Sequence, residues 1–132
     1  MKVAKSIKTI LCDDVRNEVG GKISLMGIYS KDIVVNKVPA ILPFINLVVM
    51  FENITENFEK LFATIVMPKS DPIKVNYPAP PDLEKGKNVN LVLGLSPFKL
   101  NGTGKAKFEI RFSKDEKASI VHDFSIKVNK QA

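Results

Sequence analysis

Apolar and polar side chains alternate with a period of two along several segments of this sequence. In residues 106–112 every even position is apolar and every odd position is charged, and Val89–Leu95 and Ile120–Val128 follow the same scheme. Successive side chains of a β-strand point to opposite sides of its sheet, whereas a helix repeats only after about 3.6 residues. We therefore predict that these segments are strands with one buried side.

Two further segments, residues 44–51 and 61–67, are apolar at nearly every position. Such segments are typical of central strands, or of strands that are covered on both sides. Residues 6–12, 22–29 and 73–77 complete the set of predicted strands, and Asp32–Val35 is predicted either to extend the strand of residues 22–29 or to follow it. No segment of ten residues or more shows the apolar spacing of a helix, so we expect less than about 15% helix.

Turn-forming residues separate the predicted strands. Gly20 and Gly21 form a tight-turn dipeptide, and residues 113–117 connect the last two strands. This connection is short, so the strands that flank it are predicted to form an antiparallel hairpin. Between residues 68 and 88 five prolines prevent a long regular element, and this segment is the longest predicted loop.

Short antiparallel strands without a long helix indicate an all-β fold. We predict one domain, residues 1–132, that forms an antiparallel β-sandwich of about seven or eight strands, immunoglobulin-like or C2-like. A closed β-barrel is the alternative, because a sequence does not distinguish one closed sheet from two packed sheets. The residues predicted to be mainly buried are Leu47, Val49, Ile65, Leu91, Leu93, Phe108, Ile110, Phe112, Phe124 and Ile126.

The chain carries 20 basic and 14 acidic residues, a formal net charge of +6. Such a surplus attracts nucleic acids and other polyanions. Only Arg16 and Arg111 are arginines, and arginine is the side chain that reads base edges and holds phosphates with two hydrogen bonds. The lysines are spread along the chain with no two adjacent, which favours a solvated surface over a binding patch.

Cysteine and histidine each occur once, as Cys12 and His122. These counts exclude an intramolecular disulfide and the two-histidine sets of zinc and iron sites. A Cys12 nucleophile would need a nearby base, and a cysteine in an apolar strand is more typical of a core residue. His122 is in phase with the apolar side of its strand, unless the strand begins after it. We expect no catalytic residue, no metal site, no cofactor and no enzymatic activity.

The densest group of charged side chains follows the first predicted strand. It contains the candidate site residues Asp13, Asp14 and Arg16. Calcium-binding loops need oxygen ligands at fixed offsets and a closing glutamate, which this segment lacks. We interpret the three charges as a structural ion pair at a strand end, in which Arg16 contacts a carboxylate and fixes the following turn. A surface that binds a partner is the alternative interpretation.

The motif CDD-x-R of residues 12–16, followed by GK-x-S-x-x-G in residues 21–27, resembles the opening of a family of small uncharacterised bacterial proteins. The last two strands, in residues 108–112 and 124–128, are similar to the ending of that family. The resemblance implies a β-sandwich, a domain of unknown function and a bacterial or phage-related cytoplasmic origin. It brings no known activity and no site residues.

The sequence favours a non-enzymatic binding or assembly module that acts through loops or a sheet edge. Four phenylalanines supply more large apolar side chains than small strands need, which is compatible with a protein partner or a homodimer. They are Phe44, Phe58, Phe62 and Phe98. Weak, sequence-nonspecific binding of nucleic acid is the alternative function. Lysines near the start occupy the positions of a signal peptide's apolar stretch, and we expect a cytoplasmic protein without membrane contact.

Overall fold

The computed structural model describes residues 2–113 and 117–129. Strands make up 62% of the chain described, and no helix occurs in it. In chain order the strands are β1 (Ala4–Asn17), β2 (Ile23–Tyr29), β3 (Asp32–Val35), β4 (Ala40–Leu42), β5 (Ile45–Ile54), β6 (Lys60–Val66), β7 (Ile73–Pro78), β8 (Val89–Leu95), β9 (Phe98–Leu100), β10 (Gly104–Arg111) and β11 (Ile120–Val128). The predicted all-β class is confirmed.

Two sheets form the layers of a β-sandwich. The first sheet has the strand order β2-β1-β5-β8, and all its pairs are antiparallel. The second sheet has the order β3-β11-β10-β6-β7, in which only the β3–β11 pair is parallel. Strands β4 and β9 pair separately. None of the sheets closes into a barrel, so the sandwich is confirmed over the alternative.

Two local features differ from the sequence-based expectation. The described residues form eleven strands instead of seven or eight. β4 and β9, each three residues long, are too short for a period of two to be visible, and Asp32–Val35 forms a separate strand instead of extending β2. β1 continues to Asn17 instead of ending near Cys12, because β2 pairs with it from Leu11 to Asn17. Backbone pairing with β2 therefore places Asp13, Asp14 and Arg16 within β1, whereas the sequence pattern places them at the end of a strand.

The core lies between the sheets and is built from the inward-facing side chains of both. Nine of the ten residues predicted to be buried are at most 6% exposed, and Leu91 is partly buried against the same cluster. Phe51 of the first sheet, Phe58 and Phe112 form an aromatic cluster with ring centroids 4.8–6.0 Å apart. This cluster connects the two sheets, because Phe112 directly follows β10.

β10 and β11 form the predicted antiparallel hairpin. Their register runs from Gly104 opposite Ile126 to Ile110 opposite Ile120. The predicted connection, residues 113–117, has its central residues 114–116 outside the described part of the chain. The hairpin places Phe108 and Phe124 on the inner side of the second sheet, with ring centroids 5.6 Å apart.

Replacement of Phe108 by alanine should lower the free energy of unfolding by about 3–5 kcal/mol, because the ring is 1% exposed and its removal leaves a cavity. Denaturant titration measures this change. Phe44→Ala is the matched control, since Phe44 is 46% exposed and its truncation should cost less than about 1 kcal/mol. An unchanged unfolding midpoint for Phe108→Ala would contradict the assignment of the inner side.

Candidate functional site

Each sheet turns one side to the core, and its other side is not covered by a helix in the residues described. We call the outer side of the first sheet the apolar face and the outer side of the second sheet the basic face. The apolar face contains Ile10, Cys12, Met26, Ile28, Val48, Met50 and Val92. The basic face contains Lys60, Lys74, Lys105, Lys107, Arg111 and Lys127, together with Asp32, Glu109 and Asp123. These two faces are the candidate functional surfaces.

The apolar face crosses all four strands of the first sheet. Ile28 lies opposite Cys12, Ile10 opposite Val48, and Val48 opposite Val92. Cys12 and Val48 are fully shielded by their neighbours, whereas Ile28 is 57% exposed. Contiguous apolar side chains on an open protein surface are typical of contact sites.

Asp14 and Arg16 lie on the outer side of β1, beside the apolar face. Arg16 Nε is 3.3 Å from Asp14 Oδ2, and the two side chains are 65% and 39% exposed. Asp14 Oδ1 also accepts a hydrogen bond of 2.9 Å from the backbone N–H of Val15. An ion pair that is open to water contributes little to stability, because water screens the two charges.

Asp13 points to the other side of β1, because neighbouring residues of a strand alternate. The Tyr29 hydroxyl donates a hydrogen bond to Asp13 Oδ1, and burial together with this carboxylate raises the pKa of Tyr29. Asn46 Nδ2 donates a hydrogen bond of 2.9 Å to the Asp13 carbonyl oxygen. Gly27 has a φ of 69°, and a Cβ there would overlap the Asp13 carboxylate. Asp13 therefore connects β1 with both neighbouring strands.

The structure does not gather the three predicted site residues into one site. Asp14 and Arg16 share the outer side of β1, whereas the Asp13 side chain lies on the inner side. The expected role of Arg16 in the following turn is not seen among the residues described. That turn is closed by a hydrogen bond of 2.8 Å from Glu18 N to Lys22 O, and Gly20 and Gly21 provide its positive φ angles.

Cys12 and His122 lie in different layers of the sandwich. Cys12 is fully buried on the outer side of the first sheet, and its thiol donates a hydrogen bond of 3.6 Å to the Asp14 carbonyl oxygen. Burial, with Asp13 and Asp14 nearby, raises the pKa of the Cys12 thiol. Because the thiolate is the nucleophile, this environment makes Cys12 less reactive.

His122 faces inward from β11 and contacts the first sheet. A hydrogen bond of 2.7 Å joins its Nδ1 to Thr9 Oγ1 in β1. Burial lowers the pKa of His122, against the opposing effect of Asp123. β11 begins at Ile120, so the alternative position of His122 before its strand is wrong. The contact links the two sheets.

The basic face collects six of the basic residues that are scattered along the sequence. Lys107 and Arg111 both lie near Glu109, at 3.4 and 4.0 Å, and Lys127 lies 3.1 Å from Asp32. In the described chain Lys60, Lys74 and Lys105 form no ion pair. The face therefore carries more positive charge than its carboxylates balance.

Sequence reasoning missed this grouping because it judged clustering by adjacency. Residues two apart on a strand share a side of the sheet, so Lys105 and Lys107 are neighbours in space. The same rule places Phe62 on the outer side of β6, between inward-facing Leu61 and Ala63. The alternation of residues 105–111 is the signal that could have revealed the basic face.

The four aromatic residues expected to serve a dimer contact do not form one surface. Phe58 and Phe98 are 6% and 1% exposed and belong to the core. Phe62 lies half-buried on the basic face, and Phe44 is exposed beside the start of β5. Two of the four aromatic residues therefore belong to the core and the other two lie on different surfaces, so the expectation that they serve a dimer contact is corrected.

The described residues contain neither a cluster of metal-binding side chains nor a membrane-spanning helix. No group of three or more histidine, cysteine, aspartate or glutamate side chains there has the arrangement of a metal site. Nor does this part of the chain contain a helix with the length and hydrophobicity needed to cross a membrane.

The chain matches the model of a known protein family. A model described as a family of unknown function (DUF6941) covers residues 8–126. The match includes every residue of the apolar face and every residue named for the basic face except Lys127, and it agrees with the expected domain of unknown function. No curated protein matches the chain.

The exposed ion pair gives a quantitative expectation. A double-mutant cycle of Arg16→Ala with Asp14→Ala should yield a coupling energy of about 0–1 kcal/mol, because both side chains are largely solvated. The same cycle with Asp13→Ala serves as the control and should yield a coupling near zero, since Asp13 lies on the other side of β1. A larger coupling to Asp13 than to Asp14, measured by denaturant unfolding, would contradict this arrangement.

Proposed function

We propose that this chain, which belongs to the family of unknown function DUF6941, is a non-enzymatic assembly module that forms a homodimer through its apolar face. The observation that carries the proposal is the open apolar surface across β2, β1, β5 and β8. A face-to-face contact between two copies would bury this surface, in the same way that the inner sides of the two sheets bury each other. The bacterial origin and cytoplasmic location expected from the family resemblance belong to the same proposal.

The charges beside the apolar face favour a second copy as its occupant. The whole chain has a formal net charge of +6, so two copies repel each other over most of their surfaces. Lys8 and Arg16 on the outer side of β1 are matched by Asp14 in β1 and Glu52 in β5. This side is therefore formally neutral, and two copies approach each other here without net repulsion.

The positions of these charges also suit a two-fold symmetric contact. The middle of the first sheet lies between β1, which carries Lys8, and β5, which carries Glu52. A two-fold axis along the strands at this midpoint lays β1 of one copy over β5 of the other. Lys8 of each copy then approaches Glu52 of the other, and the apolar residues meet each other. Four strands span only about 20 Å, so we expect a small interface and a dissociation constant in the micromolar range.

The absence of enzymatic activity is part of the proposal. It is supported by the separation of the groups that carry chemistry: His122 faces the space between the sheets, whereas Cys12 and Asp14 lie on the outer side of the first sheet. General acid–base or nucleophilic catalysis requires such groups to converge on one substrate.

Sedimentation from low to high micromolar concentration should reveal a reversible dimer. Ile28→Glu should abolish it, because the change places a charge on the apolar face, whereas Ile41→Glu should not. Ile41 is the matched control, since it is 64% exposed and lies on β4, outside the first sheet. A wild-type chain that stays monomeric throughout this range would contradict the proposal.

Charge reversal tests the orientation of the dimer. Lys8→Glu and Glu52→Lys should each weaken it, because each variant brings like charges together, and the double variant should restore it. Failure of the double variant to recover affinity would contradict the two-fold arrangement.

The basic face supports a second candidate function, weak binding of polyanions without sequence preference. Six basic residues and three acidic residues occupy it, so half of the chain's formal net charge of +6 lies on one side of the second sheet. Lysine predominates there over arginine, which suits charge attraction more than base readout.

Affinity for a short DNA duplex should fall steeply with salt, because bound counterions are released on binding. Lys105→Gln should lower the slope of log affinity against log salt by about 1, and Lys99→Gln on β9 should leave it unchanged. No complex at low salt and high micromolar protein, or equal effects of the two variants, would contradict this function.

A further inference from the structure

A cavity on the basic face is lined by an aromatic side chain, Phe62. The cavity has a volume of about 590 Å³, and Phe62, Thr64, Lys74, Asn76 and Arg111 line it. These residues come from three adjacent strands, β6, β7 and β10. Their side chains combine a ring, two cations and groups that donate and accept hydrogen bonds.

The strand register surrounds the ring with polar groups. Arg111 of β10 is the cross-strand partner of Phe62 on one side, and Asn76 of β7 is its partner on the other. Lys74 is the partner of Thr64, the next outward-facing residue of β6. An aromatic ring between a guanidinium group and an amide is suited to a planar, anionic ligand, because the ring stacks, the cations attract and the amide forms hydrogen bonds.

Arg111 has a donor that the protein itself does not use. Its Nε is shielded from solvent and has no hydrogen-bond partner in the described part of the chain. The nearest carboxylate contact, from Glu109, lies 4.0 Å from a terminal guanidinium nitrogen. A shielded donor without an acceptor is unfavourable. The Arg111 side chain as a whole is 27% exposed and lines the cavity, so an anionic ligand there can contact its guanidinium group.

Further cations continue from the cavity along β10. Glu109 is the next residue after Arg111 on the outer side of that strand, and Lys107 and Lys105 lie beyond it. A second cavity, of about 260 Å³, lies between these two lysines and Asp123. A third cavity, of about 510 Å³, extends from Lys105 to Lys31. The basic face thus offers three cations along β10, interrupted once by Glu109, in a row that begins beside an aromatic ring.

We infer that the basic face binds single-stranded nucleic acid, with one base stacked on Phe62 and the phosphates along Arg111, Lys107 and Lys105. This inference rests on the polyanion binding proposed above and adds the class of ligand and the stacking site. A base within a duplex is stacked on its neighbours and does not reach Phe62, so single strands should bind more tightly. Phe62 is half-buried within the sheet surface instead of projecting from it, which disfavours insertion into a membrane.

Fluorescence anisotropy with labelled oligothymidine, and with a duplex of equal length, tests the inference. We expect tighter binding of the single strand and a loss of about tenfold in its affinity for Phe62→Leu, because leucine retains bulk but does not stack. Phe62→Tyr retains the ring and should retain the affinity. Phe44→Leu is the matched control and should bind as the wild type, and thermal melting verifies that each variant is folded.

The outcomes separate this inference from the proposal on which it rests. Equal affinity for both nucleic acids, together with an unchanged Phe62→Leu, would overturn the stacking site and leave polyanion binding in place. Binding of neither nucleic acid would overturn both. Binding to phosphatidylglycerol vesicles without binding to oligothymidine would overturn the assignment to nucleic acid.

Discussion

The burial of one side of each sheet is the constraint on which the other features of this molecule depend. Two facing sheets exclude water only from the space between them, so every strand divides its residues into an inner and an outer set. The inner set forms a single apolar cluster from both sheets. The outer set is then free to vary, and here it is apolar on one sheet and basic on the other. A register shift of one residue would exchange the two sets and destroy both the core and the faces.

Directional contacts supplement the apolar core in positioning the two sheets. Apolar burial is non-directional and does not by itself define how one sheet lies over the other. Thr9 and His122 are hydrogen-bonded between β1 and β11, and Tyr77 of edge strand β7 donates a hydrogen bond of 3.0 Å to the Gly94 carbonyl oxygen of edge strand β8. These contacts join the layers at the middle and at one edge. The two outer faces are therefore held on a defined scaffold.

Sequence-based prediction succeeded where the determining interactions are local along the chain and failed where they join distant segments. Alternation is local, so it predicted the long strands, the terminal hairpin and nearly all the core. Pairing between distant segments is not local, and it decided that β1 extends past Asp14 alongside β2. It also decided that Lys74 and Arg111, far apart in sequence, line the same cavity. The candidate ion pair of Arg16 and Asp14 could be anticipated from proximity in sequence, whereas the partners of Asp13 could not, because Tyr29 and Asn46 belong to other strands.

The two proposed surfaces are compatible because they lie on opposite sides of the sandwich. If the apolar faces of two copies meet, the basic faces point away from each other on the outside of the dimer. The positive charges of the two copies are then separated by four sheets, which reduces their mutual repulsion. A dimer of this form presents two anion-binding faces, and a nucleic acid long enough to reach both would bind more tightly than either face alone allows. Weak binding of nucleic acid by a single basic face is therefore consistent with tighter binding by the dimer. Because dimerisation depends on the apolar face, the apolar face would control how tightly the protein binds nucleic acid.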